Sequence, residues 1–142
     1  MSLLFQPKEA SVLMCDFDGS VDPEMVKVRP VIVLARNRIN NKLVTVVPLS
    51  TTKPFVMQAH HHALSVNPIP ANQDIPCWAK CDMVATVSIA RLDRIKVIKP
   101  FGKREYVIPT IAALEFEAIR LCVVNALNLH KVLLQAQQKI AA

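Results

Sequence analysis

The segment RPVIVLARNRINNKLVTVVPLSTT, residues 29–52, decides the fold. It contains two runs rich in β-branched residues, 31–35 and 43–49, separated by a polar turn with Asn40 and Asn41 at its tip. Continuous runs of this kind are typical of buried strands, and asparagine favours turns because its side chain bonds the nearby backbone. The segment therefore predicts an antiparallel β-hairpin at the centre of the protein.

Shorter strand-like stretches surround this hairpin. Residues 12–17 predict a strand before it, and residues 78–87 and 92–98 predict strands after it, with one helical turn at 88–91. The proline-rich residues 67–76 predict a loop. Strands first and a helix last exclude the alternation of a parallel α/β sheet. We therefore expect a mainly β protein with a C-terminal helix, a small β-barrel in which residues 1–142 form one domain.

The long helical pattern spans about residues 110–139, with Thr110 as its expected N-cap. Two apolar stripes run along this pattern: Ile111, Leu114, Ala118, Leu121 and Cys122 form one, and Phe116, Ile119, Val123, Ala126 and Leu127 form the other. A helix on a monomer needs only one apolar face. The second stripe predicts contact with a second subunit or a partner. The alternative is that the helix is buried more deeply in the core of its own domain.

The charge distribution points to a polyanionic partner. The net charge is +6, and residues 91–104 hold six lysines and arginines against the single acid Asp93. Such a stripe favours nucleic acid because each neutralised phosphate releases condensed counterions. The alternative is a plain solvated surface. Acidic residues are concentrated in a different segment, at residues 16–24.

Several common functions are excluded by composition. Gly19 and Gly102 are the only glycines, so neither a Walker loop nor a dinucleotide fingerprint can form. No stretch has the length and apolarity of a spanning helix, and the first residues lack a signal-peptide pattern, so we expect a cytoplasmic protein. The four cysteines are expected to be thiols rather than disulfides.

Three local motifs match known sites only superficially. The sequence from Asp16 to Ser20 is similar to the nucleophile motif of haloacid-dehalogenase phosphatases, but a hairpin follows it instead of alternating strands and helices. The spacing from Asp16 onward does not fit a calcium loop. His60, His61 and His62 cannot all ligate one ion because adjacent strand residues point to opposite faces. We expect no metal and no cofactor, while these histidines could still touch substrate.

Three segments taken together resemble the PemK/MazF family of toxins from bacterial toxin–antitoxin pairs. They are Cys15-Asp-Phe-Asp-Gly followed by Arg29-Pro-Val-Ile-Val-Leu, then Val46-Val-Pro-Leu-Ser-Thr-Thr, then Ala79-Lys-Cys-Asp-Met-Val followed by Arg91-Leu-Asp-Arg-Ile. The resemblance covers about residues 11–128. It implies an SH3-like β-barrel that forms a homodimer, and a metal-independent endoribonuclease that cuts single-stranded RNA and leaves a 2′,3′-cyclic phosphate. It also implies an acidic antitoxin as partner.

The resemblance assigns catalytic roles by position. Arg29 would stabilise the scissile phosphate, Ser50 lies where the family often has an active-site threonine, and Thr51 is adjacent. Lys80 replaces an arginine that acts as acid, and Asp82 matches the carboxylate that acts as base. Cleavage by the 2′-OH of RNA needs such a base, an acid and cationic donors. Lys80 and Asp82 are expected on one face of one strand.

The basic stripe supplies the expected RNA contacts, which are Arg91, Arg94 and Lys96. Two other functions remain open from sequence. One is a catalytically silent barrel that binds RNA or protein, and the other is a toxin-fold protein that poisons DNA gyrase.

Overall fold

The computed structural model describes residues 2–58 and 60–141. Within these residues, nine strands and two α-helices follow one another: β1 (Val12–Asp16), β2 (Val28–Arg36), β3 (Leu43–Ser50), β4 (His61–Ala63), β5 (Trp78–Lys80), β6 (Ala85–Ser88), β7 (Leu92–Asp93), β8 (Ile95–Ile98), β9 (Arg104–Val107), α1 (Ala113–Ala126) and α2 (His130–Ala141). A short 3-10 turn at Ile89–Arg91 confirms the predicted helical turn.

The predicted central hairpin is β2 and β3, which pair antiparallel with Ile32 opposite Val47 and Val33 opposite Val46. β1 pairs with the other edge of β2, and the main sheet has the order β4-β5-β3-β2-β1-β7, with β6 also paired to β3. The sheet is open, with β4 and β7 at its edges, rather than a closed barrel. The prediction of a mainly antiparallel β fold of the SH3-like type is confirmed.

Both faces of the central strands are buried, which explains their continuous apolar runs. On one face, Val12, Ile32, Val47 and Leu49 pack with Phe116, Ile119 and Val123 of α1. On the other face, side chains of β1, β2 and β3 form a second cluster with Leu92: Leu13, Cys15, Val31, Val33, Val44 and Val46. A strand buried on both sides has no polar face, so its sequence shows no alternation.

The predicted strand 78–87 is in fact two strands, β5 and β6, separated by residues 81–84. β5 pairs with the end of β3, at Leu49 and Ser50, and β6 pairs with its beginning. Pro48 lies on β3 opposite the interruption, and a proline has no N–H with which to continue the ladder. Asp82 therefore lies in the turn after β5, and the expectation that it shares a strand face with Lys80 is wrong.

The predicted helix 110–139 is also two elements. Thr110 pairs with Ser11 as an isolated bridge, and the N-cap of α1 is Ala112 instead of Thr110. Between α1 and α2, Asn128 has φ 57°, a left-handed conformation that asparagine tolerates and that ends a helix.

The predicted strand at residues 92–98 is also divided into two strands. β7 joins the main sheet, whereas β8 pairs with β9 in a separate two-stranded ribbon.

The apolar stripes of α1 have different surroundings. Phe116, Ile119 and Val123 are buried against the sheet, whereas Leu114 and Leu121 are 87% and 62% exposed. None of the described residues of α2 is buried. Across residues 2–58 and 60–141, no helix is both long and apolar enough to cross a membrane. The four cysteines are all thiols.

Candidate active site

A small pocket of about 130 Å³ brings together three of the predicted catalytic residues, Arg29, Ser50 and Thr51. The strand register explains this. The paired part of the hairpin ends with Val31 opposite Pro48, and Arg29 and Ser50 each lie two residues beyond that pair, at the same end of the two strands. Ser50 in turn pairs with Trp78 of β5. The rest of the pocket wall consists of Pro30, Leu49, Asn67, Ile69, Asn72 and Cys77. We call this the arginine pocket.

The hydrogen-bonding groups of Arg29 are not all paired within the described part of the protein. Its Nε is buried, and among the described residues it has no hydrogen-bond partner. No described acidic residue forms a salt bridge with Arg29 either. Buried polar groups in proteins are nearly always paired, so an unpaired one needs an explanation. A guanidinium is suited to a phosphate because its planar fork donates two bonds at once.

The wall of the arginine pocket is held by local hydrogen bonds. Ser50 Oγ accepts a bond of 3.1 Å from the backbone N–H of Thr52. Asn67 Nδ2 donates to the carbonyl of Ile75 at 3.1 Å, and its Oδ1 accepts from the N–H of Ile69 at 3.0 Å. Burial raises the pKa of Cys77 to about 11, despite an opposing bond from the backbone of Ser50, so this thiol is neutral. Sequence reasoning missed Asn67 and Asn72, which looked like ordinary residues of a proline-rich loop.

The remaining two predicted catalytic residues lie in a histidine cluster that consists of His60, His61, Lys80 and Asp82. His61 lies directly opposite Lys80 in the β4–β5 pair. His60 Nε2 is 4.0 Å from Asp82 Oδ2, and the rings of His60 and His61 have centroids 4.1 Å apart. Burial, followed by the nearby His60 and Lys80, lowers the pKa of His61 below its usual value. His61 is therefore neutral at pH 7.

Lys80 of the histidine cluster does not line the arginine pocket, but it is a diagonal neighbour of Ser50 across the β3–β5 pair. Trp78 faces Ser50, and Lys80 follows two residues later on the same side of β5. Such diagonal neighbours have Cα atoms about 7–8 Å apart, within reach of a lysine side chain. Asp82 differs, because it lines a separate cleft with Phe17, Glu24 and Met25. No group of three or more His, Cys, Asp or Glu within the described ranges is placed to hold a metal ion.

The three predicted RNA-binding residues share a third depression, a cleft of about 450 Å³. Arg91 donates from Nη1 to the carbonyls of Asp16 and Asp18 at 2.9 and 2.8 Å, so it fastens the acidic loop to the sheet. The Arg94 guanidinium lies over the ring of Tyr106, 4.9 Å from its centroid. Lys96 is exposed on β8. None of these three lines the arginine pocket.

Solved structures share this fold. An endoribonuclease in complex with its cognate antitoxin, from a mycobacterial species, has a TM-score of 0.60 and 17% identity, and the match covers 87% of this chain and 96% of that one. The Mycobacterium tuberculosis toxin MazF-mt6 has a TM-score of 0.54 and 22% identity, with coverages of 83% and 96%. At these identities the likeness shows the fold alone, that of a small, mainly antiparallel β protein.

Sequence comparison then gives the family. Residues 8–107 match the PemK-like, MazF-like toxins of type II toxin–antitoxin systems, and a match over more than half of the chain establishes that this protein belongs to that family. The resemblance noted in the sequence is confirmed. A relative in Escherichia coli (strain K12), the protein YifN, is 33% identical over 123 residues, which covers 71% of this chain and 81% of YifN.

Proposed function

We propose that this protein is an endoribonuclease toxin that cleaves single-stranded RNA without a metal and leaves a 2′,3′-cyclic phosphate. The observation that carries the proposal is the buried, unpaired Nε of Arg29 in a pocket that also holds Ser50 and Thr51. A phosphate would supply the missing acceptor. Membership of the PemK-like, MazF-like family and the endoribonuclease among the structural neighbours support the same assignment.

The proposed reaction uses the 2′-OH of the substrate as its nucleophile. Asp82 takes the proton from that hydroxyl, the oxygen attacks the adjacent phosphorus, and the bond from phosphorus to the 5′-oxygen breaks as Lys80 gives that oxygen a proton. Arg29 donates to the phosphoryl oxygens, where negative charge develops, and the hydroxyls of Ser50 and Thr51 assist it. Asp82 lies in the turn after β5 and does not line the arginine pocket, so this step requires its carboxylate to reach the 2′-OH next to the phosphate bound at Arg29.

Two partners belong to the proposal. The exposed Leu114 and Leu121 of α1, together with the unburied α2, would form a homodimer contact. An acidic antitoxin would inhibit the enzyme by covering the RNA-binding surface, which the net charge of +6 favours. One of the structural neighbours is an endoribonuclease bound to its cognate antitoxin, and this supports an antitoxin partner here.

Incubation of the purified protein with RNA of mixed sequence in the presence of EDTA tests the proposal. We expect cuts at one short sequence motif, with a 2′,3′-cyclic phosphate on the upstream fragment and a 5′-hydroxyl on the downstream fragment. RNA that is retained but never cut would instead indicate a silent RNA-binding protein and would contradict the enzymatic assignment.

A further inference from the structure

The β8–β9 ribbon presents an exposed face on which cations and an aromatic ring alternate. Lys96 lies opposite Tyr106 and Ile98 lies opposite Arg104, so these four side chains share one side of the ribbon. All four are exposed, and Tyr106 is 43% exposed. The opposite side contributes Ile95 to the core. Sequence reasoning identified cations in this region but assigned no role to Tyr106.

Beside Tyr106 lies the cleft of about 450 Å³, which has the size of a small-molecule pocket. Arg94, Lys96 and Tyr106 form one wall. The exposed carboxylate of Asp16 also lines the cleft. A carboxylate repels a phosphate but accepts hydrogen bonds from the amino groups of adenine, cytosine or guanine. The interior of this cleft therefore favours a base, whereas the exposed cations at its rim favour phosphate.

The position of the cleft relative to the arginine pocket fits one continuous strand of RNA. Val28 lines the cleft, and the next residue, Arg29, lines the arginine pocket. The two depressions are therefore neighbours at the start of β2. An RNA strand that runs from one to the other would place a phosphate at Arg29 and a base at Tyr106.

We propose that the cleft beside Tyr106 is a nucleobase site for single-stranded RNA, in which a base stacks on the face of Tyr106 that Arg94 does not cover and the flanking phosphates lie at Lys96 and Arg104. The inference rests on the proposed function, because it assumes an RNA substrate. An aromatic platform beside a cationic track is the usual way in which proteins hold single strands. Lys96 forms no ion pair with any described residue, so its charge is available to a phosphate.

The test uses a short 2′-O-methyl RNA of mixed sequence and an abasic oligonucleotide of the same length. The methyl group blocks the nucleophile, so binding is measured whether or not the protein is a nuclease. Tyr106→Ala should weaken binding of the base-bearing strand by roughly 5- to 150-fold, the range for loss of one stacked base. Tyr106→Phe should keep the affinity, since the ring remains. On the abasic strand, wild type and Tyr106→Ala should bind equally.

Ile98→Ala is the matched control, because it removes an exposed apolar side chain from the same face without removing a ring. It should leave the difference between the base-bearing and abasic strands unchanged. Thermal melting verifies that each variant folds. The inference is overturned if Tyr106→Ala has no effect, if it weakens both strands equally, or if it weakens only the binding of an acidic peptide.

The two proposals fail separately. If wild-type protein cuts RNA and Tyr106→Ala binds the base-bearing strand as well as wild type, the nucleobase site is wrong and the nuclease assignment stands. If wild type cuts nothing but binds this strand through Tyr106, the nuclease assignment is wrong and the nucleobase site stands.

Discussion

At the scale of single residues, the arginine pocket combines groups that come from strands which pair with each other. Arg29 belongs to β2, Ser50 ends β3, and Thr51 follows directly. The paired strands hold Arg29 and Ser50 at the same end of the hairpin. Preorganised donors of this kind are effective because no reorganisation is needed when charge develops.

Thr51→Ala should slow RNA cleavage at least about tenfold, which corresponds to one hydrogen bond of about 1.4 kcal/mol made in the transition state. Thr52→Ala is the matched control, because Thr52 is an exposed neighbour that does not line the pocket. Single-turnover cleavage of one RNA substrate measures both variants. Equal rates for wild type and Thr51→Ala would remove Thr51 from the site.

The sequence predicted some of the site residues well and others not at all. The family resemblance, together with the predicted hairpin, placed Arg29 and Ser50 in one site, and the structure brings both to the arginine pocket, while their catalytic roles stay predictions. Asn67 and Asn72 reach the pocket through a loop whose path depends on tertiary contacts, and no local pattern distinguishes them. The relation between Lys80 and Asp82 was wrong because Pro48, on a different strand, interrupts the ladder.

At the scale of elements, a partly buried carboxylate links α1 to β4 and to the residues after it. Glu115 Oε1 accepts bonds from the N–H and the hydroxyl of Ser65, and its Oε2 lies 3.0 Å from His62 Nε2. Burial opposes ionisation, but the bonds from Ser65 and His62 outweigh it and lower the pKa of Glu115. These contacts fix the start of α1 over the sheet, next to the histidine cluster.

Glu115→Gln should make stability less dependent on pH. The folded-state pKa of Glu115 lies below its unfolded value, so its contribution is complete above about pH 4.3 and is lost as pH falls through the folded value. Wild type should therefore be more stable than the variant at neutral pH, and this difference should disappear in acid. Denaturant unfolding across this range measures it, with Glu117→Gln, an exposed change on α1, as control. A constant difference at every pH would contradict this role.

Leu121→Glu should convert the proposed dimer to a monomer without loss of folding. Leu121 is exposed on α1, so the new charge costs the monomer little, but it would be buried in a dimer contact. Sedimentation of wild type and variant at micromolar concentration gives the masses, and thermal melting gives the folding control. If wild type is itself a monomer at this concentration, the homodimer proposal is wrong.

The helices also show where local sequence is insufficient. The helical pattern after Pro109 was recognised, but its division into α1 and α2 depends on Asn128, where an asparagine in the left-handed region ends α1. The single residue was a weak signal inside an otherwise continuous apolar pattern. α1 begins later than the predicted start at Thr110, because Thr110 pairs with Ser11, a contact between distant parts of the chain.

At the scale of the whole molecule, the charge of +6 should make RNA binding depend strongly on salt. Loss of one phosphate contact on a single strand should reduce the slope of log affinity against log salt by about 0.7. Lys96→Glu should lower both affinity and slope, whereas Tyr106→Ala should lower affinity alone. Titrations at several salt concentrations give both quantities. An unchanged affinity and slope for Lys96→Glu would mean that the ribbon is only a solvated surface.

The extent of the folding unit stays a prediction. We expect one domain from the length of the chain, with residues 11–128 as the family core, whereas α2 buries none of its described residues. Removal of α2 should therefore leave residues 11–128 folded, while it should weaken the proposed homodimer, to whose contact α2 belongs.

The most direct test of the account is the single-turnover rate of RNA cleavage in EDTA by wild type and by Arg29→Ala. Arg29 should contribute mainly as charge develops on the phosphate, so the variant should fold, retain most RNA affinity and cut at least about a hundredfold more slowly. Asp82→Asn should do likewise if Asp82 is the base. A folded Arg29→Ala protein that cuts at nearly the wild-type rate would contradict the assignment of the arginine pocket as the active site.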